Sequence, residues 1–350
     1  MSSIRQKSPA TKGYSTPEGS LSPSRSLEVP TDGTLAASQH KQRRENRSWV
    51  QRFNGTVIAV LFIFGFIYST VTLCVILPWL SYSVPGVLNL ASFSLETGTA
   101  LWCFLLCVIV DPGRVPDDYQ PDLEANAVVQ VKRKGGEVRY CQKCCKPKPP
   151  RTHHCKVCKR CVLRMDHHCP WIGNCVGHGN YKSFLLFLIY VSMAIVHALG
   201  LLCAHALYWL RMHGENRQHS IRTGPAGTVI GAGHQIHTTV FWAITQTVCL
   251  AFSMPLTIGL TMLLVWNLYL ALQNKTTIEF HEGVTANMKA SISGGGYQHP
   301  YDLGCCGNLH AICGGNPLLW LIPNRAAGMG DGTVFPTSWD SLAEHNAFSL

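Results

Sequence analysis

Four stretches of this chain are long and apolar enough to cross a lipid bilayer: Thr56 to Leu80, Val87 to Val110, Phe184 to Leu210, and Val240 to about Leu264. A helix needs roughly 20 consecutive apolar residues to span the hydrocarbon core, where every backbone polar group must be satisfied within the segment. That restricts the chain to an all-α polytopic membrane protein, with four transmembrane helices and a hydrophilic cysteine-rich domain between helices 2 and 3. Buried helices of a soluble core rarely run so long without charge. The composition agrees, with 47% hydrophobic and only 14% charged residues. The first stretch begins too late and runs too long for a cleaved signal peptide.

The basic residues orient these helices. Of 29 Lys and Arg, nine precede the first helix, none lies in Ser81 to Gly86, and fourteen fall between Asp111 and Lys182. Three lie in Arg211 to Thr239 and three follow the fourth helix. The positive-inside rule then predicts that both termini and the middle loop face the cytosol. The expected organisation is a disordered tail (1–48), helices 1 and 2 (49–110), a cytosolic cysteine-rich zinc domain (111–182), helices 3 and 4 (183–274), and a cytosolic C-terminal region (275–350). The glycosylation-type triplets at Asn46, Asn54 and Asn274 lie on or near the cytosolic side and are expected to stay unmodified. The tail is rich in Ser, Pro, Thr and Arg, and ends in a basic and aromatic collar from Lys41 to Phe53 suited to the membrane interface. No internal repeat of 20 to 50 residues is present, which excludes a solenoid.

A net charge of +10 raises the question of nucleic acid, but its main concentration sits in a loop held to the membrane at both ends. The lipid bilayer, with its anionic headgroups, and a phosphorylated cofactor are the partners that placement favours, and no nucleic acid is expected. The cysteines of the middle loop face a reducing compartment, so its Cys-x-x-Cys pairs read as zinc ligands rather than disulfides.

Zinc takes four Cys or His ligands in a tetrahedron, usually a close pair on a turn and a second pair from farther along the chain. Eight ligands here make two structural Zn²⁺ sites: Cys141, Cys144, His154 and Cys161 for one, and Cys155, Cys158, His168 and Cys175 for the other. Each set has one knuckle and two distant ligands, and the sets interleave. His153, His167, Cys145 and Cys169 are left over.

Cys169 is therefore a thiol without structural duty, two residues after a histidine. A reactive cysteine must be ionised, near its base and held in place. Metal ligation of His168 and Cys175 would fix the chain on both sides of Cys169, and Pro170 and Trp171 would stiffen it further. His167 can act as general base toward the thiol while Asp166 orients the imidazole. Adjacent side chains point in different directions, so His168 can face metal while His167 faces the thiol.

These residues resemble the cysteine-rich domain of the DHHC protein S-acyltransferases, the palmitoyltransferases. The pattern runs through Cys141, Cys144, Lys148-Pro149, Arg151, His154-Cys155, Cys158, Cys161, Asp166 to Cys169, Trp171, Asn174-Cys175, Gly177, Asn180 and Phe184. Asp111-Pro112-Gly113 and Thr276-Thr277-Ile278-Glu279 are similar to the family's DPG and TTxE motifs, and the run from His299 through Asn308 to Trp320 resembles the C-terminal element of plant-type members. The resemblance covers about Thr56 to Pro323 and implies a protein-cysteine S-palmitoyltransferase working in two steps. The Cys169 thiolate would take a long-chain acyl group from acyl-CoA (palmitoyl-CoA), and the acyl-enzyme would pass it to cytosolic cysteines of membrane-associated proteins. It further implies that the Thr277 hydroxyl supports Asp166, that Trp171 stands at the mouth of an acyl-chain cavity between the helices, and that Lys148, Arg151 and Arg164 are candidates for the CoA phosphates. By the same analogy the protein resides in endomembranes, Golgi or endoplasmic reticulum.

Glu96, His197 and His205 lie within the membrane stretches and are expected to make interhelical bonds, and Pro255 to bend the fourth helix. No role is assigned to Cys305, Cys306 and Cys313. A RING-type interaction platform would not require a free thiol beside an Asp-His pair, and a metal-regulated transporter would need more intramembrane polar residues than Glu96 and two histidines.

Overall fold

The computed structural model describes residues 53–121, 138–223, 232–283, 299–324 and 330–338; the N-terminal tail and its collar up to Arg52 lie outside them. Four long helices form the membrane part: α1 (Gly55–Ser69, continuing as a π-helical segment, Thr70–Leu80), α2 (Val84–Ile109), α3 (Tyr181–Thr223) and α4 (Ala232–Leu272). Their membrane-spanning portions are Gly55–Leu80, Val84–Ile109, Tyr181–Met212 and Val240–Leu272, so this is a multi-pass membrane protein. Thr72 and Thr99 satisfy their hydroxyls without water by donating to the carbonyls of Tyr68 and Leu95 one turn back. Asn54 and Ser83 cap the first turns of α1 and α2 by accepting from Val57 N and Gly86 N.

Two helix ends differ from the sequence expectation. The third helix runs on past Leu210 to Thr223. The fourth runs past Leu264 to Leu272 and stops at Asn274, whose φ of 47° is left-handed. Lys275 N donates to Leu270 O at 2.9 Å and Asn274 N to Ala271 O at 3.0 Å, the paired bonds of a Schellman stop.

Polar side chains stitch the bundle. His197 on α3 lies 3.0 Å from Glu96 Oε2 and 3.1 Å from Asn89 Oδ1, both on α2. His205 meets Gln246 of α4 at 2.9 Å, and the Gln246 amide donates to Cys74 O on α1. These histidines and their partners thus pair polar groups of different helices within the lipid interior.

Between α2 and α3 the chain makes three antiparallel hairpins: β1 (Tyr140–Cys141) with β2 (Lys146–Pro147), β3 (His153–Cys155) with β4 (Arg160–Val162), and β5 (His167–Cys169) with β6 (Asn174–Val176). The last hairpin sits on the end of α2, whose final carbonyls have no helical partner. Asn174 Nδ2 donates to Cys107 O and Val110 O, both at 3.0 Å, and Asn180 Nδ2 reaches Cys107 O at 3.3 Å. Asp111 grips Arg160 through two bonds of 2.9 and 3.0 Å. Gly179 packs so tightly against the Asp111 carbonyl that a Cβ there would collide with backbone.

After α4 come a short helix α5 (residues 277–283) and α6 (Cys305–Cys313). Asn308 of α6 donates to Leu272 O at 2.7 Å, closing the end of α4. One apolar core joins all these parts, including Phe104 of α2, Cys169 and Ile172 of the third hairpin, Tyr181 and Leu188 of α3, and Ile312 of α6.

Asn174→Ala should strand the α2 carbonyls in a buried place, at a cost of about 1–3 kcal/mol. A lowered melting temperature of the detergent-solubilised protein checks this; an unchanged one would mean water replaces the amide.

Candidate active site and metal centres

Hairpin geometry brings the metal-type residues together. The first set, Cys141, Cys144, His154 and Cys161, and the second, Cys155, Cys158, His168 and Cys175, each gather their four ligand atoms within 4.8 Å of one another. Strand register explains how: His154 stands opposite Cys161 across β3–β4, and His168 opposite Cys175 across β5–β6. The first set joins the tip of hairpin one to a cross-strand pair of hairpin two, and the second repeats this between hairpins two and three.

Zinc bond lengths at tetrahedral angles require nitrogen and sulfur about 3.6 Å apart. His168 Nδ1 lies 3.7, 3.5 and 3.6 Å from the sulfurs of Cys155, Cys158 and Cys175. For His154 Nδ1 the corresponding distances are 3.5, 3.2 and 4.0 Å to Cys141, Cys144 and Cys161. Three thiolates and one imidazole at this spacing fit zinc in both places. Among the described residues, Cys169, His167, His153 and Cys145 belong to neither set.

The three hairpins also repeat one another. Cys141, Cys155 and Cys169 fall 14 residues apart, and each is followed four residues on by a left-handed residue: Cys145 (φ 52°), Lys159 (φ 54°) and Gly173 (φ 60°). In the first two, the cysteine of the same turn is Cys144 or Cys158; in the third that place is held by Ile172. Cys169 thus occupies the position of a knuckle cysteine in a hairpin that has lost the second one.

Side chains alternate along β5, so His167 and Cys169 share one face and His168 takes the other. His167 Nδ1 bonds Asp166 Oδ2 at 2.6 Å. That leaves Nε2 for the thiol, which stands on the same face of β5 and lines the same cavity. Burial disfavours charge on this ring, but the bond to Asp166 and the neighbouring Asp166 and Cys169 groups raise it to about 9. Phe184 meets the ring edge-on at 5.3 Å. Asp166 is fully buried, and the N-terminus of α5 satisfies it: Thr277 N donates to Oδ1 at 2.8 Å and Thr277 Oγ1 to Oδ2 at 3.0 Å. The hydroxyl contact is legible from motif resemblance; the backbone N–H is not, because only the fold aims a helix start at the carboxylate.

Below Cys169 a cavity of about 580 Å³ opens between the four helices. Its lining is almost entirely apolar. His167, Cys169 and Trp171 stand at one end, and Tyr68, Phe93 and Ile195 lie deep in the bundle. From Phe184 to Ile195 it follows α3 for ~16 Å at helical rise. Trp171 is 60% exposed, on the turn after Cys169, and Thr56 at the start of α1 fixes that turn by donating to Pro170 O. Pro255 lines the cavity from α4.

Two of the three cations expected to meet CoA phosphates are withdrawn from solvent, which corrects that expectation. Arg151 is 3% and Arg164 4% exposed. The Arg151 guanidinium forms a two-pronged pair with Glu279, 2.7 Å on each side, and also donates to the side chain and carbonyl of Asn274. Arg164 donates to Asn274 Oδ1 at 3.1 Å and lies over the Tyr181 ring; burial, then the neighbouring Arg151, lowers it to about 10, still cationic at neutral pH. Glu279 and Asn274 lie more than 100 residues along the chain from these arginines, so no local pattern in the sequence reveals them. Lys148 stays half-buried just past β2.

Glu279 completes a capping box with Thr276, accepting from Thr276 N at 2.9 Å while its own N–H meets Thr276 Oγ1 at 3.2 Å. Burial alone would raise its pKa, but the Arg151 charge and hydrogen bonds, with the Thr276 N–H, hold it down to about 2.

A family model described as DHHC palmitoyltransferase matches residues 134–284. Probable protein S-acyltransferase 16 of Arabidopsis thaliana is 44% identical over 295 residues, covering 83% of this chain and 96% of that protein. Probable protein S-acyltransferase 15 of the same plant is 38% identical over 282 residues, 79% of this chain and 100% of that protein. The Homo sapiens palmitoyltransferase ZDHHC3 is 38% identical over 157 residues, 44% of this chain and 51% of that protein.

Two outcomes are expected. Elemental analysis should find two zinc ions per chain, with Cys158→Ala losing metal and Cys169→Ser keeping both ions; loss of an ion from Cys169→Ser would overturn the ligand sets. Because the Glu279 pKa is depressed, its pairing contributes stability that is full above its ordinary value of about 4.3 and is lost as pH falls toward 2. Arg151→Met should therefore destabilise the protein at neutral pH by about 3–5 kcal/mol and narrow its advantage over the variant in acid, as thermal melts between pH 3 and 7 would read.

Proposed function

The chain belongs to the DHHC palmitoyltransferase family and is a protein S-palmitoyltransferase, and from that premise we propose that Cys169 carries the acyl group, with His167 as base and Asp166 as its support. The single observation that carries this reading is the thiol itself: on the same strand face as a histidine anchored on a buried carboxylate, outside both ligand sets, and open to an apolar cavity.

The steps follow from those groups. His167 Nε2 takes the Cys169 proton, and the thiolate attacks the carbonyl carbon of a long-chain acyl-CoA. The carbon–sulfur bond to CoA breaks, and the departing CoA sulfur receives the proton back from the imidazolium. A cysteine thiol of a membrane-associated protein then gives its proton to His167 and attacks the acyl-enzyme, and Cys169 leaves as the thiol once reprotonated. Asp166 keeps Nδ1 protonated and stabilises the imidazolium formed in each step. The two zinc ions, when bound, hold the hairpins rigid and take no part in proton or acyl transfer.

Acyl-CoA as donor is supported by the cavity. Each buried CH₂ of a fatty chain gains ~0.8 kcal/mol over water, so the thiol has to stand where cytosol meets lipid. Lys148 is the one cation of the three not engaged by buried carboxylates or rings, and it is assigned here to the CoA phosphates. The bias of basic residues supports a cytosolic side for both termini and the zinc hairpins, and an endomembrane location, Golgi or endoplasmic reticulum, agrees with that topology.

Purified protein incubated with alkyne-tagged palmitoyl-CoA should take up a hydroxylamine-sensitive label that Cys169→Ser abolishes, and His167→Ala should slow labelling by about 10²- to 10⁴-fold. Undiminished labelling of Cys169→Ser would reject the nucleophile.

A further inference from the structure

Residues 330–338 return from the C-terminal side and lie across the zinc hairpins. Gly330 O accepts from His178 Nε2 at 3.3 Å, and Phe335 meets the His178 ring edge-on at 5.9 Å. Ser338 N donates to Pro300 O at 2.8 Å, so both ends of the segment are fastened. Gly332 has a φ of 80°, and a Cβ there would stand 2.7 Å from a carbon of the His178 ring. Only glycine lets the backbone pass that close.

What the segment covers is the Arg151 guanidinium. Arg151 Cζ lies 4.3 Å from the Tyr301 ring centroid and 5.1 Å from that of Phe335. The planar cation is held by rings on its faces while its edge pairs with Glu279 and Asn274. Two routes lead from it to the reacting groups. Glu279 caps the α5 turn whose Thr277 N–H and hydroxyl carry Asp166, and Arg151 O accepts from Met165 N, the residue before Asp166. The guanidinium therefore braces the carboxylate from two sides, and Phe335 is the part of the brace contributed by the far C-terminal segment.

We infer that residues 330–338 form a positioning strap, in which Phe335 closes the ring clamp on Arg151 and thereby fixes Asp166 and His167 in register with Cys169. The strap rests on the reading of Asp166, His167 and Cys169 given above. It touches neither the acyl cavity nor either metal set, so its removal alters the turnover of bound acyl-CoA rather than the binding. A misplacement of about 1 Å in a catalytic group costs on the order of 10²-fold in rate.

The experiment compares Phe335→Ala, Phe335→Tyr and Gly332→Val in the full chain, measuring zinc content, KM for palmitoyl-CoA and kcat for transfer to a cysteine peptide. Phe335→Ala should lower kcat by about 10- to 100-fold with KM within twofold of the parent and two zinc ions retained. Phe335→Tyr should restore kcat, because it returns the ring. Should Phe335→Ala lose zinc or fail to fold, Gly332→Val decides, since it lifts the strap without removing an aromatic residue: the same selective fall in kcat supports the strap. An unchanged kcat in Gly332→Val or Phe335→Ala, a matching rise in KM, or a Phe335→Tyr variant as slow as the alanine would overturn it. Cys169→Ser run in parallel separates the two ideas, because persistent labelling there sinks the nucleophile, whereas normal kinetics of the strap variants sink only the strap.

Discussion

Each four-ligand set ties the tip of one hairpin to a cross-strand pair of the next, and the order of the whole cysteine-rich module descends from that link. Hairpins of two or three residues per strand cannot hold themselves together in water. Their own apolar clusters are small: Val115 and Leu163 beside the first ligand set, Val162 and Met165 beside the second. With a metal bound, three thiolates around one imidazole would replace the missing core and carry rigidity from the first hairpin to the third. The third hairpin then transmits it to the membrane bundle through Asn174 and Asn180, which take the last carbonyls of α2.

The charged interior is organised on the same plan. Asp166, Arg151 and Arg164 are buried and Glu279 is nearly so, and each has a partner supplied by a different segment. A buried pair of this kind is weak as a source of net stability but severe in what it forbids, since taking away one member leaves the other uncompensated. The consequence is geometric. The loop carrying Arg151, the α5 turn and the strand carrying His167 have one arrangement in which every charge is satisfied, and in that arrangement the imidazole faces the thiol.

The membrane helices were legible from the sequence because lipid imposes a length and an apolarity that no other environment requires. Their ends were less so. Asn274 stops α4 through a left-handed turn that an asparagine among polar residues does not announce, and α3 continues into polar sequence where hydropathy no longer marks it. The ligand spacings were legible because zinc knuckles demand close pairs. The partners of Arg151 and Arg164 were not, because Glu279, Asn274, Tyr301 and Phe335 meet them only once the chain has folded back. A motif shows which residue types are present; whether a cation meets a phosphate in solvent or a glutamate in the interior depends on contacts far along the chain. The 14-residue recurrence of Cys141, Cys155 and Cys169 was present in the sequence all along, but it is too short to register as a repeat of whole structural units.

That recurrence gives the Cys169 sulfur an ancestry in geometry. The first two hairpins hand their knuckles forward to the following hairpin, but nothing follows the third except α3, which starts at Tyr181. With Ile172 where a second cysteine would stand, the final knuckle has neither a companion thiol nor a successor to clasp. Its sulfur is aimed as a ligand would be, yet it looks out over oil instead of a cation. The nucleophile proposed for this protein occupies the open link at the end of two metal-type ligand sets, and a fourth hairpin at that point would have turned it into one more rivet.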